Sequence, residues 1–329
     1  MKLDVFNHVL PENYLKRLEI TSRDREHLKR NSNIPTLWDM DARLRLLDRF
    51  DDVQQVISLA GPPIEVGADP KTAVELAQLA NDEMAAICRA HSDRFPGFIA
   101  SLPMNDTPGA IRELDRALDD LNASAVQIFS NVDGKPLDSP ELFPFFQHAH
   151  ERDVTIFMHP ARGANFSDYR TESKSRYELW WAFGWPYETT VAMARMVYSG
   201  LFDRLPGLRV VTHHMGGMVP YFEGRISPGL DVMGQRTMGE EYTPLKRRTL
   251  DYFHEFYADT ALFGALEATQ CGYRFFGAEH TVFASDCPFD PEGGAFFLRE
   301  TIRILDAIDI AASERQQIYE GNAKRLLKF

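Results

Sequence analysis

The chain has 329 residues, 44% of them hydrophobic and 26% charged, which is enough apolar material for a sizeable core and too much for a disordered protein. Its formal net charge is −12 and no compact basic run breaks the acidic balance, so nucleic acid and anionic membranes are excluded as expected partners. Cys88, Cys271 and Cys287 lack zinc-ribbon spacing and suit a reducing compartment. The opening MKLDVFNHVLPENY carries Asp4 and His8 where a signal peptide needs an unbroken apolar stretch. No run approaches the roughly 20 apolar residues that span a bilayer. The expectation is a soluble, cytoplasmic protein.

In chain order, strands are expected at Lys2–Val5, Val53–Leu59, Phe98–Leu102, Ala125–Phe129, Thr155–Met158, Arg209–Thr212, Phe256–Ala258 and Thr281–Ala284. Most are short and rich in Val, Ile and Phe, as strands buried on both faces should be. Helical patterns lie between them. Thr72–His91 carries one apolar stripe, and Pro108–Leu121 and Pro140–Glu151 follow Thr107 and Ser139, each a helix cap with proline just inside. Pro186–Leu201, Phe296–Ile308 and Ala312–Leu327 complete the set. Eight strands alternating with helices is the arithmetic of an α/β fold, a (β/α)8 TIM barrel over residues 1–329 as one domain. A doubly wound open sheet is the alternative, but GxGxxG and GxxxxGK[ST] are both absent. Two connections are long, about Val9–Leu37 after the first strand and Ala161–Trp185 after the fifth, as expected of an active-site mouth or subunit contact.

In such a barrel, polar residues at the carboxyl ends of strands face the active site. Those ends carry His8, His159 in TIFMHP, His213 and His214 in RVVTHHMGG, Asp259 in FYADTA and Asp286 in TVFASDCPF. Imidazole and carboxylate suit a divalent cation, and two histidines with one carboxylate leave positions open for water or substrate. Asp286, directly after VFAS, would be costly to bury without a cation. Adjacent His213 and His214 point to opposite faces if the strand persists, so one of them is expected to face the site. Asp259 reads equally as a site residue or as a partner of a backbone amide. Cys287 reads as a packing residue.

In order along the whole chain, these residues and their surroundings resemble the amidohydrolase superfamily, in particular its non-oxidative decarboxylase branch typified by aminocarboxymuconate-semialdehyde decarboxylase. The resemblance is carried by LDVFNHVLP, SLPM, AVQIFSNVDGKPLDSPELFPFFQHAHERDVTIFMHP, YETTVAMARMVYSGLFDRLPGLRVVTHHMGGMVPYFEGRI and SDCPF. It implies a distorted barrel, one divalent metal ion (zinc, with manganese as the alternative) and a homodimer. It makes His8, His159 and Asp286 metal ligands, His214 and Asp286 catalytic, and His213 an outward neighbour. Arg225 corresponds to an arginine that in relatives reaches a neighbouring subunit's site and holds a substrate carboxylate. Arg30 stands loosely in the place of the family's early substrate-binding arginine. One departure is sharp. Where the family carries the first ligand of its HxH or ExH pair, this chain has Phe6, which cannot ligate a cation.

The reaction expected from the resemblance is metal-dependent decarboxylation of a small aromatic or unsaturated carboxylic acid. Trp180, Trp181 and Trp185, with Phe6 and Asp259, are the candidate substrate-binding residues beside Arg225. The aromatic cluster reads equally as packing of a loop onto the barrel or a subunit interface. The alternative chemistry is a metal-dependent hydrolase or hydratase of a small carboxylated or cyclic substrate. A metal-free relative that keeps only the fold is the third reading.

Overall fold

Short runs of β-branched and aromatic residues form the eight strands of one sheet in the computed structural model, which describes residues 1–231 and 244–329. They are β1 (Lys2–Val9), β2 (Val53–Leu59), β3 (Gly97–Ser101), β4 (Ala125–Phe129), β5 (Ile156–His159), β6 (Val210–Thr212), β7 (Tyr257–Asp259) and β8 (Thr281–Val282). Each is parallel to the next in sequence, so the sheet order is the chain order. The sheet then returns on itself. Val5 N–H donates to Phe283 C=O at 3.0 Å, Asp286 N–H to Phe6 C=O at 3.1 Å and His8 N–H to Cys287 C=O at 2.8 Å. These bonds join β1 to the chain leaving β8 and complete the expected distorted (β/α)8 barrel.

Side chains from strands all around the barrel fill the cylinder: Leu3, Val5, Phe6, Val56, Ile99, Phe157, Val211 and Val282 are all buried in one cluster. The C-terminal helix Asn322–Leu327 seals the amino end with Leu326 and Leu327, and Thr155 Oγ1 at the foot of β5 donates to Leu326 C=O at 2.8 Å. A second, larger core lies between the strands and the surrounding helices, such as Pro70–Ala90 and Thr107–Asp119.

Two expectations need correction, the end of the first strand and the continuity of the last helix. The first strand does not stop at Val5 but runs to Val9, because a register shift between Asp4 and Asn7 turns Phe6 and His8 into the barrel. Its polar residues are satisfied on the outer side, where Asn7 accepts from the fully buried Arg43 at 2.9 Å. The long connection after β1 is built of four short helices, Glu12–Thr21, Arg25–Ser32, Pro35–Trp38 and Met40–Leu47. The final helix is divided, Ala312–Gln316 and Asn322–Leu327 flanking a wider π turn at Gln317–Gly321. The connection after β5 remains irregular across residues 160–178 before Leu179–Ala182 and Gly184–Tyr198. Among the described residues no helix is long and apolar enough to cross a membrane.

Candidate metal centre

At the carboxyl mouth of the barrel, β1 presents His8, β5 ends in His159, and the chain leaving β6 carries His213 and His214. Asp286 follows β8. One ligand atom from each of His8, His159, His213 and Asp286 lies within 4.8 Å of the others, and all four residues are buried. Both histidines after β6 reach the site. This corrects the expectation that His213 is an outward neighbour, and the reason is local. The strand ends at Thr212, so alternation no longer applies; His214, Met215, Gly216 and Gly217 then follow at positive φ, swinging the second ring back over the mouth. Asp286 is also at positive φ, 59°. Non-glycine residues held there cost energy and cluster where function demands a particular direction of a side chain.

The outer nitrogens of three imidazoles are tied back into the protein. Ser58 Oγ donates to Asn7 C=O at 2.7 Å and so accepts from His8 Nδ1, 3.0 Å away. His159 Nδ1 donates to Pro160 C=O at 2.7 Å. His213 Nδ1 donates to Asp259, whose other oxygen accepts from the amides of His214 and Ala261 at 3.0 and 3.1 Å. This pattern orients Nε2 of each ring toward the centre. His8 Nε2, His213 Nε2 and Asp286 Oδ1 are buried with no hydrogen-bond partner, although Asp286 Oδ1 lies 3.1 Å from His8 and 3.3 Å from His213. Orphaned acceptors facing one another are unfavourable unless a cation sits among them. The donor set therefore fits a divalent ion.

Charge follows the same logic. Burial disfavours the charged form of His8, His159 and His214 and lowers all three pKa values, His159 well below the usual range. Burial acts the same way on His213, but Asp259 and Asp286 outweigh it and raise the value to about 9. Burial also opposes charge on Asp286; the nearby His213, with His214 and His8 close by, outweighs it and holds the carboxyl well below its ordinary value.

Around the cluster, Phe6 lies against His213 at a ring separation of 4.3 Å and within 5.8 Å of His159. Trp185 packs edge-on to His159 at 5.3 Å and stacks on His214 at 6.3 Å. Trp180 stands one layer back, between Trp185 and His27. Trp181 carries the half-buried Arg30 guanidinium 4.6 Å above its ring. A cavity of about 600 Å³ opens along Trp185, Phe129 and Pro160 and is lined further out by Arg23, His27 and Arg162. Arg225 is exposed on the first turn of the helix Glu223–Asp231, its guanidinium 5.7 Å over the Phe222 ring. His213 and Ser58 are the contributors that sequence reasoning missed; the first was visible as a second histidine, the second had no signal.

Imidazoles and a carboxylate converging at the carboxyl mouth of a parallel barrel define a metal-competent (β/α)8 protein. The chain belongs to the amidohydrolase family, whose model matches residues 8–329. It is 31% identical over 293 residues to 2-amino-3-carboxymuconate-6-semialdehyde decarboxylase of Dictyostelium discoideum, covering 88% of this chain and 77% of that one. It is 32% identical over 296 residues to gamma-resorcylate decarboxylase of Rhizobium radiobacter, covering 88% and 87%. Among solved structures, 2,6-dihydroxybenzoate decarboxylase bound to 2,6-dihydroxybenzoate superposes with a TM-score of 0.81 at 27% identity, covering 100% of this chain and 99% of that one. A dihydroxybenzoic acid decarboxylase from a Polaromonas species, holding manganese and 2-nitroresorcinol, gives 0.79 at 26% identity with coverage of 99% and 96%.

Proposed function

We propose that this protein is a metal-dependent carboxy-lyase that removes carbon dioxide from a small aromatic or unsaturated carboxylic acid, residues 1–329 acting as one catalytic domain. The observation that carries the reading is the set of inward Nε2 atoms facing an unpaired Asp286 oxygen. His8, His159 and Asp286 would hold the ion. Nitrogen and oxygen ligands of this kind suit Zn²⁺ or Mn²⁺, and zinc is our first assignment. When bound, the ion supplies a Lewis acid for the substrate carboxylate and an adjacent oxygen.

The protein's own groups do the rest. Asp286 Oδ2 lies 3.5 Å from His214 Nε2, and this pair would relay a proton taken up from solvent at the mouth to the carbon that bears the carboxylate. A C–H bond forms and conjugation is interrupted; the C–C bond then breaks, its electron pair restoring conjugation as carbon dioxide leaves. His214, whose Nδ1 has no partner, would be free to pass the proton along to Asp286. Trp185 offers an apolar face beside His159 and His214 for a planar substrate. Arg30 supplies positive charge toward Asp286 at the same mouth. In a homodimer, the exposed Arg225 would serve the partner's site, and a cytoplasmic setting suits three unpaired cysteines.

The test is carbon dioxide release from a panel of ortho-hydroxybenzoates and muconate semialdehydes by zinc- and manganese-loaded protein, with metal content measured alongside. Metal-dependent release from at least one acid is expected. Hydrolysis of an ester or lactone without carbon dioxide would replace this reading with a hydrolytic one.

A further inference from the structure

Phe6 fills the inner wall beside His8 with a ring that has no lone pair to offer, so β1 contributes one ligand and the assignment above leaves three. The geometry points to His213 as the fourth ligand of the ion, held in place by Asp259 and Phe6, while its neighbour His214 is not a ligand. This rests on the reading that the cluster holds a divalent cation.

The two adjacent histidines differ in every respect that matters. His213 Nδ1–H is committed to Asp259, which fixes the tautomer, and Nε2 points into the cluster, buried and unpartnered, 3.3 Å from Asp286 Oδ1. A carboxylate behind an imidazole both orients it and raises its basicity toward a metal. Asp259 is itself immobilised by two backbone amides, so the ring has little freedom to turn. The Phe6 ring packs against the imidazole, with centroids 4.3 Å apart. His214 has the reverse arrangement: its Nδ1 is orphaned and its Nε2 faces the second Asp286 oxygen, outside the four-atom group. A ring with no outer tether is free to exchange a proton, and a tethered one is built to coordinate.

The experiment measures Zn²⁺ affinity by competition with a chelating dye on metal-stripped protein. His213→Ala should weaken binding by roughly 100-fold or more, and Asp259→Asn, acting as a positioning change, by roughly 10-fold. His214→Ala should bind Zn²⁺ as the wild type does. Adding Phe6→His to His213→Ala should recover most of the lost affinity, since the new imidazole enters the vacated volume. X-ray absorption on zinc-loaded wild type, which needs no variant, should count three imidazoles. Two imidazoles, or wild-type affinity in His213→Ala, overturns the proposal while leaving the metal reading intact. A wild type that binds no Zn²⁺ overturns both.

Discussion

At Asp286 one carboxylate serves two partners: Oδ1 faces the metal-competent imidazoles and Oδ2 faces His214. Asp286→Asn therefore removes a ligand and a proton carrier together, and it should fold while losing at least roughly 10³ in turnover. His214→Asn should lose roughly 10²–10⁴ in kcat and keep its metal. A steady-state and metal analysis of both variants separates the roles; near-wild-type turnover in Asp286→Asn would remove it from the mechanism. Glu65 poses a separate problem. It is buried, its Oε1 has no partner, and burial pushes its pKa from 4.5 to about 8. A folded-state value above the unfolded one means that its contribution to stability is complete below about pH 4.5 and is lost as pH climbs through about 8. Glu65→Gln removes that dependence. Urea midpoints at pH 5 and pH 9 should show the variant gaining on wild type at the higher pH; an unchanged difference would mean that Glu65 is already relieved by solvent. His159 and Asp286 were legible because each ends an apolar strand where a polar group needs a reason. His213 was not, because the alternation rule presumes a strand that here has already ended at Thr212.

Helices between strands were readable from apolar stripes and early prolines, but not their caps: neither Thr107 nor Ser139 makes a side-chain capping bond, and Thr107 lies inside its helix behind Asp106. Asp69, whose carboxylate accepts from the amides of Lys71 and Thr72, begins at Pro70 the helix expected from Thr72. The insertion between β1 and β2 was unreadable as helices for a physical reason: its elements run only four to ten residues, too short for a period to establish itself. What organises it is tertiary. Arg43, in the helix Met40–Leu47, is fully buried and donates to Gln55 Oε1, Asn7 Oδ1, and the carbonyls of His8 and Thr36, at 2.8 to 3.2 Å. It ties the insertion to the strand that carries His8. Arg43→Leu would leave those acceptors buried and unpaired, at a cost of roughly 3 kcal/mol. Urea denaturation should show that loss, and Zn²⁺ affinity should fall with it as β1 loosens; a variant as stable as wild type would mean that water replaces the guanidinium.

For the molecule as a whole, the centre lies on the seam. The bonds that close the barrel run from Val5, Phe6 and His8 to Phe283, Asp286 and Cys287, and two metal-competent residues, His8 and Asp286, are among those six. An ion held there would connect β1 with the chain after β8, and also with β5 and β6, so opening the barrel would require its release. Binding linked to folding in this way stabilises by about 2.7 kcal/mol at a free metal concentration 100 times Kd. In thermal melts, adding Zn²⁺ to metal-stripped wild type should therefore raise Tm by several degrees, and Asp286→Ala should lose the increment. A seam variant that changes no ligand, Val5→Ala, should start from a lower Tm and yet gain nearly the same increment. Equal gains in Asp286→Ala and wild type would mean that the ion binds elsewhere on this acidic surface and that the barrel closes without its help.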